Sequence, residues 1–403
     1  MPRPEHRTRF AKQAPAADET TITDLRVAGK LPAALSGQYM CIGPDRIDAL
    51  GLPPDGAGGE GMVHAVNLDG GRVLSYRNRW ITTDSVARRL AIEPTPGPRA
   101  VGGDVVAAGL IAFGTSILAL GDGALAYELS ARLDTIRRVD LAGARRSLVG
   151  GAKVDPRTGE LHLLTFASIG SQLHVAVSRG ALTRTIRAID DAPGRIRQLE
   201  LTHDDVVLVA DGVVGVAARA GVDIKPLWFE IDTDARHVAC AYAHGETVIA
   251  LTTGPSLLRW TLDRRAATAQ CEVLDARPHL LAASNWQRPD SAHRFLWTVG
   301  AGAAHKFDLL TGGHRVHDVG DDRTPGELVF VADPDRTGTE DGGWLVGLVH
   351  DDASDQTEFV VLDAEAIERP AVATVLIPRR VPTGARGTWI PATRPSERNC
   401  HPT

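Results

Sequence analysis

Residues 327–364, ELVFVADPDRTGTEDGGWLVGLVHDDASDQTEFVVLDA, decide the fold, because three short apolar runs alternate there with turn residues. The runs ELVFV, GWLVGLVH and EFVVLD are rich in Val, Leu, Phe and Trp, which favour β-strands. Asp, Pro, Gly and Ser separate them, as expected between strands of an antiparallel sheet. The stretch predicts three consecutive short strands.

The same pattern extends across most of the chain. Strand-forming runs separated by Gly, Asp, Asn and Pro include VLSYRNRWITT, SILALGDGALAYEL, GELHLLTF, DDVVLVADGVVGVAA, ETVIALTT, SLLRWTLD and RFLWTVG. Helical periodicity is scarce, so regularly spaced short strands predict an all-β sandwich, barrel or propeller. Propeller blades take roughly 40–50 residues each. A chain of 403 residues therefore suits six to eight blades better than one sandwich.

We expect one propeller domain over residues 21–390. Residues 1–20 and 391–403 are rich in Pro, Ala and charge, and we expect a flexible leader and a flexible tail there. Between them no linker, low-complexity tract or composition break divides the sequence. The apolar fraction of 43% allows a sizeable core.

Charge and hydropathy exclude several classes of function. The net charge is −6 and no basic run occurs, so a nucleic-acid partner is not expected. The sequence contains neither a secretory signal nor an apolar run of roughly 20 residues, and no membrane-docking patch is evident. Four widely spaced cysteines, with no close pair, favour reduced thiols over a disulfide framework or zinc site. We expect a cytoplasmic protein.

Several phrases, taken in order, resemble the carotenoid cleavage oxygenase family, which includes retinoid isomerases and lignostilbene-cleaving enzymes. LPAALSGQYMCIGPD (31–45) and GEGMVHAVNLDGGRVLSYRNRWITT (59–83) resemble its opening motifs. AKVDPRTGELHLLTF (152–166), PGELVFV (325–331) and FVVLDAEAIERPAVATVLIPRRVPTGARGTW (359–389) follow in the family's order. The resemblance covers nearly the whole chain.

The resemblance implies a seven-bladed β-propeller with a loop and helix cap over one face, enclosing an apolar tunnel. In active members four histidines at the propeller axis bind Fe(II), and glutamates behind them orient the imidazoles. The iron activates O2, and a conjugated double bond is split into two carbonyls.

Compared with the family, this sequence departs from the pattern at three of the four iron-ligand positions. Gly151 lies where the first histidine belongs, and Arg386 replaces the last one in RVPTGARGTW. Arg197 takes the second position in RQLELTHDDVVLV, although another register would use the pair His203-Asp204. Only His237, in RHVACAYAHGET, matches a family ligand.

The carboxylates that stand behind the ligands in the family are also incomplete. Glu327 matches a family glutamate, and Asp122 matches the acid of a strand motif. Leu280 occupies a further acidic position.

The chemistry of these residue types argues against a four-histidine iron site. A first-row metal needs several imidazole, carboxylate or thiolate donors, and a protonated guanidinium donates no lone pair. Two guanidiniums would also repel a dication by several kcal/mol at an effective dielectric near 20. The sequence therefore predicts no cofactor. Fe(II) remains only if His64, His203 or His244 replaces the missing ligands.

Two interpretations of the substituted residues stay open. Arg197 and Arg386 could bind a carboxylate or phosphate head, with His237 as acid or base and Glu327 as its partner. Alternatively, Arg386 pairs with Glu327 or Asp122 and fills the vacated metal site, and His237 only bonds within the core. Gly151, Asp122 and Tyr242 are the candidate substrate-binding residues.

Three functions follow from these interpretations. The first is a metal-independent enzyme carrying out a redox-neutral step, such as cyclisation, isomerisation, elimination or hydration, on an apolar isoprenoid or polyketide-like substrate. The second is a non-catalytic protein that binds an apolar ligand with an acidic head. The third is an iron-dependent dioxygenase with relocated ligands.

Overall fold

The computed structural model describes most of the chain between residues 18 and 392. The described residues are 18–45, 59–99, 103–141, 143, 148–167, 170–178, 182–189, 193, 196–220, 224–231, 237–285, 292–300, 302–382 and 386–392.

The described strands form seven antiparallel sheets, each with its strands in the following spatial order. Sheet 1 contains β1 (Thr20–Ile22), β5 (Arg72–Trp80), β4 (Glu60–Asp69), β3 (Gly37–Asp45) and β31 (Arg386–Pro391). Sheet 2 contains β6 (Gly109–Phe113), β7 (Ser116–Leu120), β8 (Ala126–Leu129) and β9 (Thr135–Val139). Sheet 3 contains β10 (Leu148–Val154), β11 (Leu161–Ala167), β12 (Gly170–Ser178) and β13 (Leu182–Ala188).

The remaining four sheets follow in chain order. Sheet 4 contains β14 (Gln198–Leu201), β15 (Asp205–Ala210), β16 (Val213–Ala218) and β17 (Leu227–Glu230). Sheet 5 contains β18 (His237–His244), β19 (Thr247–Thr253), β20 (Leu257–Asp263) and β21 (Thr268–Asp275). Sheet 6 contains β22 (Leu281–Ala283), β23 (Phe295–Gly300), β24 (Ala303–Asp308) and β25 (Gly313–Asp318). Sheet 7 contains β2 (Arg26–Gly29), β30 (Ala373–Ile377), β29 (Gln356–Asp363) and β28 (Gly343–Asp351), with β26 (Arg323–Pro325) and β27 (Val329–Ala332) both paired to β28.

The sheets pack against one another in a closed ring. Contacts join β31 to β6, β6 to β10, β10 to β14, β14 to β18, β18 to β22, β24 to β26 and finally β27 to β31. The first strand of sheets 2 to 6 is therefore innermost, and β31 and β27 complete the axis. The predicted all-β propeller is confirmed.

Strands from the two terminal parts of the chain complete the ring. The late strand β31 is the innermost strand of sheet 1, where it pairs with β3. The early strand β2 is the outermost strand of sheet 7, where it pairs with β30. Thr20 already lies in β1 and Pro391 still lies in β31, which extends the predicted propeller by one residue at each end. Residues 1–17 of the predicted leader and 393–403 of the tail lie outside the described residues.

Apolar side chains fill the space between neighbouring sheets. Between sheets 4 and 5, for example, Val207 and Phe229 pack with Val248, Leu258 and Trp260. Strand β28, GWLVGLVHD, is buried at every position except the last, because both its faces are covered. The three strands predicted from residues 327–364 are observed as β27, β28 and β29.

The described residues include one α-helix, α1 (Asp84–Leu90), in the connection between sheets 1 and 2. The Thr83 side chain caps it by accepting a hydrogen bond from the Val86 N–H, and Asp84 complements the positive end of its dipole. Within the described part of the chain, no helix has the length and hydropathy needed to span a bilayer.

Candidate active site along the propeller axis

A cavity of about 380 Å³ runs along the axis of the ring, and we call it the axial cavity. Residues of all seven innermost strands line it, from β6, β10, β14, β18, β22, β27 and β31. Many of the lining residues are small, so the axis stays open where larger side chains would fill it. These small residues include Ala152, Ala239, Ala241, Ala282 and Ala283. The volume lies within the range of small-molecule sites.

The innermost strands run in the same direction around the axis. The Gln198 amide at the start of β14 donates to the Val238 carbonyl and accepts from the Val238 N–H at the start of β18. Likewise Glu327, just before β27, lies beside Arg386, the first residue of β31. The four positions that the resemblance assigns to iron ligands therefore belong to the first half of their strands.

Glu327 is the predicted site residue that reaches the axial cavity. One of its carboxylate oxygens accepts the Gly387 N–H at 2.7 Å, and the other lies 3.5 Å from Arg386 Nη1. Burial raises the pKa of the Glu327 carboxyl, and the Arg386 guanidinium only partly offsets that effect. The structure thus brings Glu327 and Arg386 together, as the pairing alternative expected.

Arg197 and His237 lie at the rim and are exposed. Arg197 Nη2 is 2.8 Å from the carboxylate of Asp211, an exposed residue in the turn between β15 and β16. His237 is the first residue of β18 and pairs in the ladder with Thr253. Among the described residues that line the axial cavity, neither is present. The predicted cluster of Arg197, Arg386 and His237 around the cavity is therefore not formed in this structure, although the roles of these residues stay predictions.

The three predicted substrate-binding residues differ in location. Gly151 lies in the innermost strand β10. Asp122 is exposed in the turn after β7, and this turn bonds to the start of β10 through the Gly123 N–H and the Leu148 carbonyl. Tyr242 is buried in β18 but stands behind the cavity wall. Its ring meets the His293 ring edge-on with centroids 6.0 Å apart, and His293 is the residue that lines the cavity.

The alternative ligands named from the sequence lie away from the four ligand positions. His64 is buried in β4, where Nδ1 is 2.8 Å from the Tyr76 hydroxyl, and burial lowers its pKa to about 3. His203 follows the end of β14 and His244 is the last residue of β18. Over the described ranges, no three His, Cys, Asp or Glu side chains are arranged to hold a metal ion.

Sequence reasoning missed three polar residues of the axial cavity: Lys153, Glu200 and His293. Lys153 Nζ lies 2.7 Å from the Glu200 carboxylate, so these two residues form a salt bridge between β10 and β14. Strand alternation could have placed both on the axial face of their strands. No local signal could have identified His293, because it precedes β23 and reaches the axis only in the folded ring.

Comparisons with known proteins agree over almost the whole chain. The sequence profile of the retinal pigment epithelial membrane protein family matches residues 13–209 and 213–391. A carotenoid cleavage oxygenase of Mycobacterium tuberculosis is 28% identical, over 94% of this chain and 96% of its own length. A chloroplastic 9-cis-epoxycarotenoid dioxygenase of Arabidopsis thaliana is 24% identical, over 94% of this chain and 80% of its own length.

Solved structures show the same fold. A mutant of the Synechocystis apocarotenoid oxygenase superposes with a TM-score of 0.82 at 21% identity, covering 96% of this chain and 99% of that protein. The cobalt-substituted form of that oxygenase gives 0.80 at the same identity and coverage. Together with the sequence profile, these likenesses show that the chain belongs to the family of the retinal pigment epithelial membrane protein and the carotenoid cleavage oxygenases.

Proposed function

We propose that this chain binds an apolar isoprenoid in the axial cavity and converts it in a redox-neutral step, with Glu327 as the proton donor. The observation that carries the proposal is a buried carboxyl at a cavity of ligand size. The substrate class agrees with the carotenoid and epoxycarotenoid named in its relatives.

The environment of Glu327 suits proton donation to a double bond. Because burial raises its pKa, this carboxyl keeps its proton to a higher pH than an exposed one. Protonation of an alkene leaves a carbocation, and loss of a different proton completes an isomerisation or cyclisation without a change in oxidation state. Arg386, half-exposed beside Glu327, is the residue we propose to meet an acidic head on the ligand.

We infer that the four ligand positions do not fit a four-imidazole iron site. They provide one imidazole, from His237, which is exposed, and the Arg386 guanidinium is directed to Glu327. A guanidinium beside a buried carboxylate supports charge pairing there in place of metal coordination. We extend the proposal to a seven-bladed propeller whose cap covers one end of the axial cavity.

The second candidate function is the oxygenase reaction, and the comparisons favour it. The relatives include a carotenoid cleavage oxygenase, an epoxycarotenoid dioxygenase and an apocarotenoid oxygenase that takes up cobalt. Under this alternative the ligands of the metal would differ from the four family positions.

One experiment separates the candidates. The protein is produced with iron supplied, its metal content is measured, and it is incubated with β-carotene, β-apo-8′-carotenal and farnesol in air, or under argon with a chelator. We expect a product with the elemental composition of its substrate, formed equally under both conditions and identified by mass spectrometry. Two carbonyl fragments formed only in air, and lost with the chelator, would instead establish the oxygenase reaction.

Glu327→Gln tests the proton donor. The amide keeps the shape of the side chain but has no acidic proton, so turnover should fall by about 100-fold or more. Glu272→Gln is the matched control, since Glu272 is exposed on β21 and pairs with Arg259 away from the axis. Ligand binding without turnover in the unmodified protein would identify a binding protein.

A further inference from the structure

His293 is a buried imidazole in the wall of the axial cavity, and no family motif identified it. Its side chain is 5% exposed. Its Nδ1 atom is closed off from solvent and has no hydrogen-bond partner among the described residues. A buried ring nitrogen without a partner costs free energy, so its retention in a cavity wall indicates a use for this imidazole.

Glu340 faces the Nδ1 side of this imidazole. Its carboxylate accepts hydrogen bonds from the backbone N–H groups of Arg294 and Phe295, each at 3.0 Å. Oε1 then lies 3.9 Å from His293 Nδ1, beyond hydrogen-bond length but the nearest charge to that atom among the described ion pairs. Tyr242 packs edge-on against the ring and limits its rotation.

These contacts determine the tautomer. Burial lowers the pKa of His293 and outweighs the opposite effect of Glu340, so the imidazole is neutral near pH 7. A neutral imidazole carries one N–H and one lone pair, and a carboxylate favours the N–H on the nitrogen that faces it. The proton is thus expected on Nδ1, which leaves the lone pair on Nε2.

His293 and Glu327 lie towards opposite ends of the axial cavity. Strand β22 ends at Ala283, and the connection from residue 284 to His293 follows that end of the innermost strand. Glu327 precedes β27 and lies beside the first residue of β31. Because the innermost strands run in one direction, the two polar groups are separated along the axis.

We propose that His293 recognises a hydroxyl group of the ligand: Nε2 accepts the ligand O–H, and Glu340 positions the imidazole. This inference rests on the proposed function and narrows its substrate to isoprenoid alcohols, because a lone pair on Nε2 pairs with a donor and not with an ether or carbonyl oxygen. The hydroxyl end then lies at His293, and the hydrocarbon part extends towards Glu327.

Calorimetric titration with farnesol and farnesyl methyl ether tests the proposal, because the two compounds differ in the hydroxyl proton and one methyl group. We expect farnesol to bind roughly 3- to 10-fold more tightly, the usual effect of one hydrogen bond. His293→Phe should abolish this preference and leave the affinity for the ether largely unchanged. His279→Phe is the matched control, since His279 is fully buried in sheet 6 and does not line the cavity among the described residues.

Nitrogen NMR of the histidine rings tests the tautomer without altering His293. We expect a protonated Nδ1 in the unmodified protein, a shift of the Nε2 resonance on adding farnesol, and a change of tautomer in Glu340→Gln. A protonated Nε2 in the unmodified protein overturns the proposal, even if His293→Phe does not fold. Equal affinity for alcohol and ether overturns this inference and leaves the proposed function standing, whereas binding of neither compound overturns both.

Discussion

Ion pairs in this protein differ in how far their partners are buried, and this decides what each residue contributes. Arg386 and Glu327 meet at 3.5 Å with the guanidinium half-exposed. Lys306 and Asp341 meet at 2.5 Å with both side chains nearly buried. The Lys306 ammonium also donates to the Glu365 carbonyl and lies 4.3 Å from the centre of the Phe295 ring. Exposed pairs stabilise proteins little, whereas breaking a buried pair strands a charge.

Lys306→Met should therefore destabilise the fold strongly. The change leaves the Asp341 carboxylate buried without its cation, and we expect the free energy of unfolding to fall by about 3–5 kcal/mol. Arg315→Met is the control, because Arg315 and Glu368 form an exposed pair at 2.7 Å, and its loss should cost less than about 1 kcal/mol. Urea denaturation followed by tryptophan fluorescence measures both. Equal effects of the two substitutions would contradict the argument.

The candidate site could be predicted from the sequence only in part. The pairing of Arg386 with Glu327 was one of the alternatives expected, and it is observed. Arg197 was expected near the cavity, but its exposed position next to Asp211 depends on the turn between β15 and β16, which no motif describes. Lys153, Glu200 and His293 were missed because the resemblance supplies only the positions of known ligands.

The strands were more predictable than the site, because each is encoded locally by β-branched and aromatic residues between turns. The runs VLSYRNRW and SILAL are observed within β5 and as β7. The following residues ITT were expected to continue a strand, but Thr83 caps helix α1 instead. Which strand is innermost could not be read from the sequence, since it depends on packing between sheets that are distant in the chain.

Strand β4 shows how closely one element approaches its neighbours. A Cβ atom at Gly61 would overlap the backbone carbonyl oxygen of Val106, in the segment that leads to sheet 2. A backbone atom cannot move aside as a flexible side chain can. Gly61 is thus required by the contact between strand and connection, not by an unusual backbone conformation.

Gly61→Ala should lower the free energy of unfolding by about 1–3 kcal/mol, the usual cost of overpacking. Gly109→Ala is the matched control, because Gly109 also lies in a strand and a Cβ atom there would meet no other atom among the described residues. We expect that variant to stay within about 0.5 kcal/mol of the unmodified protein. Thermal unfolding followed by circular dichroism compares the two, and a neutral Gly61→Ala would show that the segment at Val106 can shift.

Histidines buried in the sheets make the stability of the whole propeller depend on pH. Burial lowers the pKa of His64 to about 3 and that of His279 to about 4, whereas the ordinary value is 6.5. Between these values the unfolded chain binds protons that the folded chain does not. The free energy of unfolding should therefore be highest above pH 6.5 and fall as the pH is lowered from about 6.5 towards about 4.

Chemical denaturation at a series of pH values measures this effect. Each such histidine contributes at most about 1.4 kcal/mol per pH unit within that window. His279→Asn removes one titrating group and should reduce the slope by no more than that amount. A free energy of unfolding that stays constant or increases from pH 7 to pH 5 would contradict the assignment of neutral buried imidazoles.

Closure of the ring by β31 has a consequence for synthesis of the protein. Strand β3 pairs with β4 on one side and with β31 on the other, and β31 ends only at Pro391. While a ribosome is still translating the later sheets, the nascent chain carries an open strand edge at β3, and such edges recruit other chains. The growing polypeptide thus depends on chaperones until its final strand emerges, which makes soluble yield in a foreign host sensitive to chaperone supply.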